Sequence, residues 1–214
     1  MSPDIEISLL GELRVVSQGQ EVPLPASKKA RALLAFLVAT GRPHRRERLC
    51  ELFWDIPDDP KAALRWALSK LRKVVDSDER AHIVADRERV HFDAEGVDID
   101  IRTIHARLRQ REGFLPIDEL ETMAQKLDLV LLDGLDGAGD TGFDSWLTAE
   151  REDAEVARIE VLRQLATHPE MAAAPAQKWM RLWRDADPAG AAAHEEAAPA
   201  SAQAESKPAP RPSK

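Results

Sequence analysis

The chain of 214 residues has room for one or two domains, and 43% hydrophobic residues suffice for a packed core. Its formal net charge of −8 looks unsuited to a polyanionic partner, yet the acidity is local: residues 1–97 hold 16 Lys and Arg against 16 Asp and Glu, and the remainder 14 against 22. A single cysteine, Cys50, excludes an internal disulfide and a multi-cysteine metal site, and no run of about 18 apolar residues offers a membrane span. The N-terminal MSPDIEISLL carries charges where a signal peptide has its apolar segment, so a cytoplasmic location is expected. In the first half the bases cluster at residues 42–48 and 61–73, and clustering sets the field at a surface more than net charge does.

Ile5, Ile7 and Leu9 alternate with polar residues, and Gly11-Glu12 turns the chain. Residues 13–16 and 22–24 follow as short strands around Gln18-Gly19-Gln20, which predicts a small antiparallel meander. Pro23 and Pro25 confine its last piece to an edge. Ser27 is placed to cap a helix whose apolar side is Ala30, Leu33, Leu34 and Leu37 and which Gly41 ends. A second helix is predicted over residues 45–54, with Leu49, Leu52 and Phe53 inward and Arg45, Arg46 and Arg48 outward. Arginines at a helix N-terminus oppose its dipole, so they ask for an anion, either a phosphate or neighbouring carboxylates. Cys50 adjoins the apolar side and reads as a small core residue.

Residues 61–75, KAALRWALSKLRKVV, form the most informative stretch. At 100° per residue Leu64, Leu68, Leu71 and Val75 fall in one stripe flanked by Ala67 and Val74. The opposite arc carries Arg65, Ser69, Lys70, Arg72 and Lys73, with Trp66 near its middle and no acid between Lys61 and Val75. Such a helix can dock on a small core while facing phosphates and base edges. The plainer alternative is a solvated face, although solvated faces mix both signs and seldom display a tryptophan. Pro60 is a favoured first helical residue.

Beyond it, residues 83–85 and 90–92 predict a hairpin around Asp86-Arg87-Glu88-Arg89. Its arginines either reach DNA or are solvated at the tip. At residues 96–100, GVDID, strands are expected to cease. Ile101, Ile104 and Leu108 mark one helix, Ile117, Leu120, Ala124, Leu127 and Leu131 another, and Leu147, Ala154, Val161 and Leu165 a longer third. Ala176, Trp179, Met180 and Trp183 mark a fourth that Pro175 starts or kinks. The paired helices suggest a helical-repeat or bundle domain. Residues 195–214, rich in Ala and Pro, offer nothing to bury and are expected to be a disordered tail.

Residues 137–142 match G-x-G-x-x-G, but a helical pattern precedes them and Asp136, Asp140 and Asp144 would repel phosphates. They are better read as an interhelical loop, with Asp144 near the start of the next helix as a cap. No Walker A, H-E-x-x-H, G-x-S-x-G or C-x-x-C pattern occurs, and the six histidines show no pair at ligand spacing. No catalytic residue, metal or cofactor is expected.

Three helices after an N-terminal meander, the third cationic and followed by a hairpin, resemble a winged helix of the OmpR-like response-regulator type. The segments ISLLGELRV, KKARALLAFLVATGRPHRRERLCELFW, ALRWALSKLRKVV and HIVADRERVHF resemble the DNA-binding domain of the SARP-type bacterial transcriptional activators, the streptomycete antibiotic regulatory protein family. VDIDI, LLDGLDG, FDSWLTAERE and, more loosely, PAQKWMRLWRDADPAGAAAH look like the helical bacterial transcriptional activation domain that follows in that family. The resemblance implies an α+β winged helix-turn-helix domain over residues 1–97 and an all-α, TPR-like domain over residues 98–194, shortened at its C-terminal end. It implies residues 61–75 as recognition helix, with base or phosphate contact from Arg65, Trp66, Ser69, Lys70 and Lys73, and phosphate contact from Arg72. Arg87 and Arg89 fall on the wing, and Arg45 and Arg46 belong to the same basic surface. It further implies double-stranded DNA as partner, a homodimer side by side on direct repeats, and RNA polymerase approached by the loop of residues 54–60. Trp66 stands where many relatives have a polar side chain, so its ring packs either on a thymine methyl or on a neighbouring protein element. The alternative function is an adaptor that docks a partner through the acidic half, with Trp179 and Trp183 as exposed anchors and DNA binding lost.

Overall fold

The computed structural model describes residues 5–54, 59–77, 79–109 and 113–197. The chain divides into two compact units, Met1–Val161 and Leu162–Lys214.

The first unit opens on strands β1 (Ile5–Ser8), β2 (Arg14–Ser17) and β3 (Gln20–Glu21), an antiparallel meander. Its β2–β3 turn consists of Gln18 and Gly19, both at positive φ (49° and 76°), as a type I′ turn requires. The third strand falls earlier than residues 22–24. Pro23 and Pro25 have no N–H for the ladder, and only Val22 extends it, donating to the Val15 carbonyl at 2.8 Å. Helix α1 (Lys28–Thr40) starts on the predicted cap, where Ser27 Oγ accepts the Ala30 N–H at 3.3 Å, and ends at Gly41 with φ 60°.

Strand β4 (His44–Arg45), helix α2 (Arg46–Phe53), helix α3 (Pro60–Val75) and strands β5 (Ile83–Ala85) and β6 (Arg89–Phe92) follow. The predicted hairpin is part of a three-stranded sheet in the order β4-β6-β5, with His44 opposite Val90. Two-residue β4 has no periodicity of its own. The expectation that strands cease at Gly96 is corrected by β7 (Val97–Ile99), which pairs in parallel with β1 and completes the order β3-β2-β1-β7. Three residues whose partner lies some ninety positions earlier leave no local signature.

Helices α4 (Asp100–Arg109), α5 (Ile117–Leu127) and α6 (Thr141–Thr167) come next, the last running on into the second unit. α5 stops one turn short of Leu131, predicted as part of it. Leu131 instead bridges to Leu10 and Gly11, the Gly11 N–H reaches the Val130 carbonyl at 3.0 Å, and the Leu132 N–H reaches the Leu9 carbonyl at 2.8 Å. Leu132 adopts φ 52°, a left-handed conformation that costs a branched side chain about 1–2 kcal/mol and is held here by that backbone pairing.

The core of this unit is aromatic where α1, α2 and α6 meet. Phe36 lies 6.0 Å from Phe53 and 4.8 Å from Trp146 between ring centres, and Phe53 lies 5.2 Å from Phe143. A second tie comes from α4: Arg102 donates to the Val38 and Ala39 carbonyls at 2.6 and 3.3 Å, serving the C-terminal carbonyls of α1 that the helix leaves unpaired. Glycine at position 41 is required by its backbone angle, and a Cβ there would also push the Arg102 guanidinium aside. Asp100 is the third tie, its buried carboxylate accepting the N–H groups of Leu9, Leu10 and Ile101.

In the second unit the end of α6 is followed by α7 (Ala173–Ala186) and α8 (Pro188–Ala197). Trp179 and Trp183, expected on the adaptor reading to be exposed, are buried at 8% and 2% exposure. The Trp183 ring lies 5.5 Å from that of His194, Arg184 pairs with Glu195, and Asp187 Oδ1 accepts the Gly190 N–H at 3.0 Å as α8 begins. Of the tail expected from Glu195, the first three residues complete α8, and residues 198–214 lie outside the described residues. Among the described residues no helix is long and apolar enough to cross a membrane, and no group of three or more His, Cys, Asp or Glu could hold a metal.

Candidate nucleic-acid interface

α3 is defined at both ends by its own sequence. Asp59 Oδ1 accepts the Ala62 N–H at 2.8 Å, Pro60 needs no intrahelical acceptor, and Arg72 and Lys73 sit in the last turn, where the dipole favours cations. Leu64, Ala67, Leu68, Leu71, Val74 and Val75 are all buried, the arc the periodicity assigned to the core. Burying a Leu or Val is worth about 1.5–3 kcal/mol each, which fixes the helix's rotation and so determines what faces outward.

Outward lie Lys61, Arg65, Trp66, Ser69, Lys70, Arg72 and Lys73, all exposed. Among the described residues, Lys61, Lys70 and Lys73 form no ion pair. Arg65 lies 3.9 Å from Asp59, both well exposed, a loose contact worth little. Trp66 is 52% exposed, and the Lys70 ammonium stands 5.6 Å from the centre of its ring.

Arg72 differs from its neighbours. Its guanidinium turns back to the Ile83 carbonyl at 3.4 Å and to Asp76 at 3.9 Å, so it joins the end of α3 to β5. Asp76, which sequence reasoning passed over, is the centre of that joint: one carboxylate oxygen accepts the His82 and Ile83 N–H groups at 2.8 and 2.9 Å. An acid directly after a basic helix is the signal in the sequence that points to it. The hairpin is thus held to the basic helix by a carboxylate and a guanidinium that both face backbone.

The hairpin tip is shaped by Asp86. It has no Asn-Gly pair; instead Asp86 Oδ1 accepts the Glu88 and Arg89 N–H groups, both at 2.7 Å, and these donors hold its carboxyl below the usual carboxylate range. Arg87 and Arg89 are exposed at this tip, and Arg45 of β4 lies directly opposite Arg89. Like charges placed opposite one another across two strands are destabilising, and among the described residues neither arginine has an ion-pair partner. Arg46 is spoken for: it donates through its side chain to the Asp86 carbonyl at 3.0 Å and through its backbone to Glu88 at 2.8 Å. Arg48 pairs with Glu51 at 3.4 Å. Of the arginines opposing the α2 dipole, Arg45 is therefore the one left exposed and unpaired among described groups.

Behind β4 sits His44, buried against the Phe36 ring at 4.7 Å with Nε2 2.7 Å from the Thr40 hydroxyl. Burial, and then the Arg42 charge, lower its pKa. Cys50 is buried as expected, and burial raises its thiol pKa. The loop of residues 54–60 has its central residues 55–58 outside the described residues.

The glycine-rich loop of residues 137–142 closes on itself. The Gly137 N–H is held by Asp144 at 3.0 Å and the Asp140 N–H by the Leu52 carbonyl at 2.7 Å, which removes donors a pyrophosphate would need. A Cβ on Gly139 would strike Phe143 and the Leu52 carbonyl, so this glycine serves close packing on α2. Asp140, rather than the predicted Asp144, caps α6, accepting the Phe143 N–H at 2.9 Å.

No family model and no curated protein matches the chain. Among solved structures, EmbR of Mycobacterium tuberculosis, determined in complex with a low-affinity phosphopeptide, is similar with a TM-score of 0.56 and 20% sequence identity. The similarity covers 86% of this chain and 51% of that one, so the chain spans about half the length of EmbR. At this identity the likeness establishes the fold alone, an EmbR-like arrangement of small N-terminal sheets and helices followed by a helical region.

Proposed function

We propose that the chain is a sequence-specific DNA-binding transcriptional regulator of the SARP type, with α3 as recognition helix and the β5–β6 hairpin as wing. The observation that carries this reading is the exposed arc of α3: Arg65, Ser69, Lys70 and Lys73 around Trp66, on a helix whose other side is wholly buried. Arg45 and Arg89, set opposite each other with the Asp86 charge acting on Arg89 but no ion pair formed among the described residues, support it, because a phosphate there relieves their repulsion. Arg46 and Arg72 are positioning groups in this reading, since both guanidinium groups already serve backbone carbonyls. The likeness to EmbR supports the same class through shared fold. The fuller proposal is an activator that binds direct repeats as adjacent protomers and contacts RNA polymerase. The adaptor reading loses its support, because both of its anchor tryptophans are buried.

Fluorescence anisotropy with duplex DNA at several salt concentrations tests the proposal. Affinity should fall with a log-log slope of about −0.9 for each neutralised phosphate. Lys70→Ala should weaken all duplexes alike, whereas Arg65→Ala should alter the preferred base. Absent or salt-insensitive binding refutes it.

A further inference from the structure

We propose that Trp66 reads the 5-methyl group of a thymine in the major groove, so that this chain selects a T·A pair where a polar side chain at the same position would select by hydrogen bonding. The inference rests on the DNA-binding reading above and assigns one residue within it. Of the five tryptophans, Trp54, Trp179 and Trp183 are buried and Trp146 packs on Phe36 and Phe143, while Trp66 alone is exposed, at 52%. An indole left in water forgoes the burial that usually retains this residue, so its exposed area calls for an occupant.

The surroundings favour DNA over protein as that occupant. On a helix a side chain leans over the turn N-terminal to its own Cα, and for Trp66 that turn offers Ala62 and Ala63, both too short to cover a ring. The indole therefore stands proud of the helix in its N-terminal half, the half from which a helix-turn-helix protein reaches base edges. Its neighbours toward the C-terminus are Ser69 and Lys70, with the Lys70 ammonium over the ring and Lys73 one turn on. A protein partner covering the indole would have to bury these cations with it, whereas a duplex supplies phosphates for them. Within the major groove the thymine methyl is the apolar group among the edges of the four ordinary bases, and it is the one that gains from meeting an indole.

The test begins with a duplex selected from a random pool by the whole chain. Each thymine is then replaced in turn by deoxyuridine, which keeps every hydrogen-bonding group and lacks only the methyl. At one thymine in each half-site, affinity of the wild type should fall about four-fold, the worth of one buried methyl-sized group. Trp66→Ala should weaken binding to the thymine duplex and erase the difference between thymine and uracil there, while Trp66→Leu retains part of it. Thermal unfolding of both variants should match the wild type, because the ring is outside the core. The proposal is overturned if methyl removal costs nothing at any position, or if Trp66→Ala keeps the same sensitivity; in both cases the chain still binds DNA and the broader reading stands. Failure of the whole chain to select or bind any duplex removes the broader reading and this assignment together.

Discussion

Replacing Asp100 by alanine should cost more stability than any exposed charge in the molecule. Its Oδ1 accepts the Leu9 N–H at 2.9 Å and the Ile101 N–H at 2.7 Å, and Oδ2 accepts the Leu10 N–H at 3.1 Å. All three donors belong to buried residues, at the point where β1 ends and α4 begins. A buried donor left without an acceptor costs about 1–3 kcal/mol. Ile101 lies in the first turn of a helix, where N–H groups lack intrahelical acceptors, so water meets that one at smaller cost. Two fully orphaned donors and one partly compensated give a loss of about 3–4 kcal/mol for Asp100→Ala. Asp100→Asn keeps one oxygen for Leu9 and Ile101 but turns an amide NH2 toward the Leu10 N–H, for a loss of about 1–2 kcal/mol. Urea denaturation followed by circular dichroism reads both as lowered midpoints at unchanged slope. A loss under about 0.5 kcal/mol for alanine, the range of ordinary surface substitutions, would refute the reasoning. An asparagine variant less stable than the alanine one would do the same.

Asp76→Ala should free the hairpin from the basic helix: amide exchange at His82 and Ile83 should accelerate and DNA affinity should drop, and unchanged exchange would show that Asp76 does not hold the wing. Gly41→Ala should destabilise by about 2–3 kcal/mol through its left-handed backbone and displacement of Arg102, measured as a lowered melting temperature. His44 has a folded-state pKa below its ordinary value of 6.5, so the unfolded chain binds the proton more readily. Stability should therefore fall as pH drops through about 6.5 toward the folded value, and His44→Gln should flatten that part of the profile.

The helices were legible because their evidence is local. Ser27, Gly41 and Pro60 announce ends within one turn of where they act, and Leu64, Leu68, Leu71 and Val75 repeat at the helical period. Strands β4 and β7 and the bridge at Leu131 were not legible. Each is one to three residues long, its register set by a partner elsewhere in the chain, so no alternation accumulates. The exposed cations of α3 could be named in advance, since anything off the apolar stripe must face out. What a guanidinium does after reaching the surface could not.

Arg46 and Arg72 carry the same charge as Arg65 and Arg89 in any count of basic residues, yet each spends its donors on a carbonyl of the hairpin, at Asp86 and Ile83. Three carboxylates divide in the same way. Asp76 and Asp86 shape the hairpin and Asp100 binds the strand end, each through backbone N–H groups. Net charge in residues 1–97 is a poor measure of their field toward a ligand because the bases are clustered on one helix and one hairpin. Several acids in the balance have their oxygens turned to N–H donors of the protein, and two of the bases are likewise occupied. Among the described residues the bases left to face a partner are Arg45, Lys61, Arg65, Lys70, Lys73, Arg87 and Arg89, with Arg65 loosely held by Asp59 and Arg89 under the Asp86 charge. Clustering of these bases on α3 and the hairpin, rather than the overall balance, is why a chain of net charge −8 presents a face suited to a polyanion.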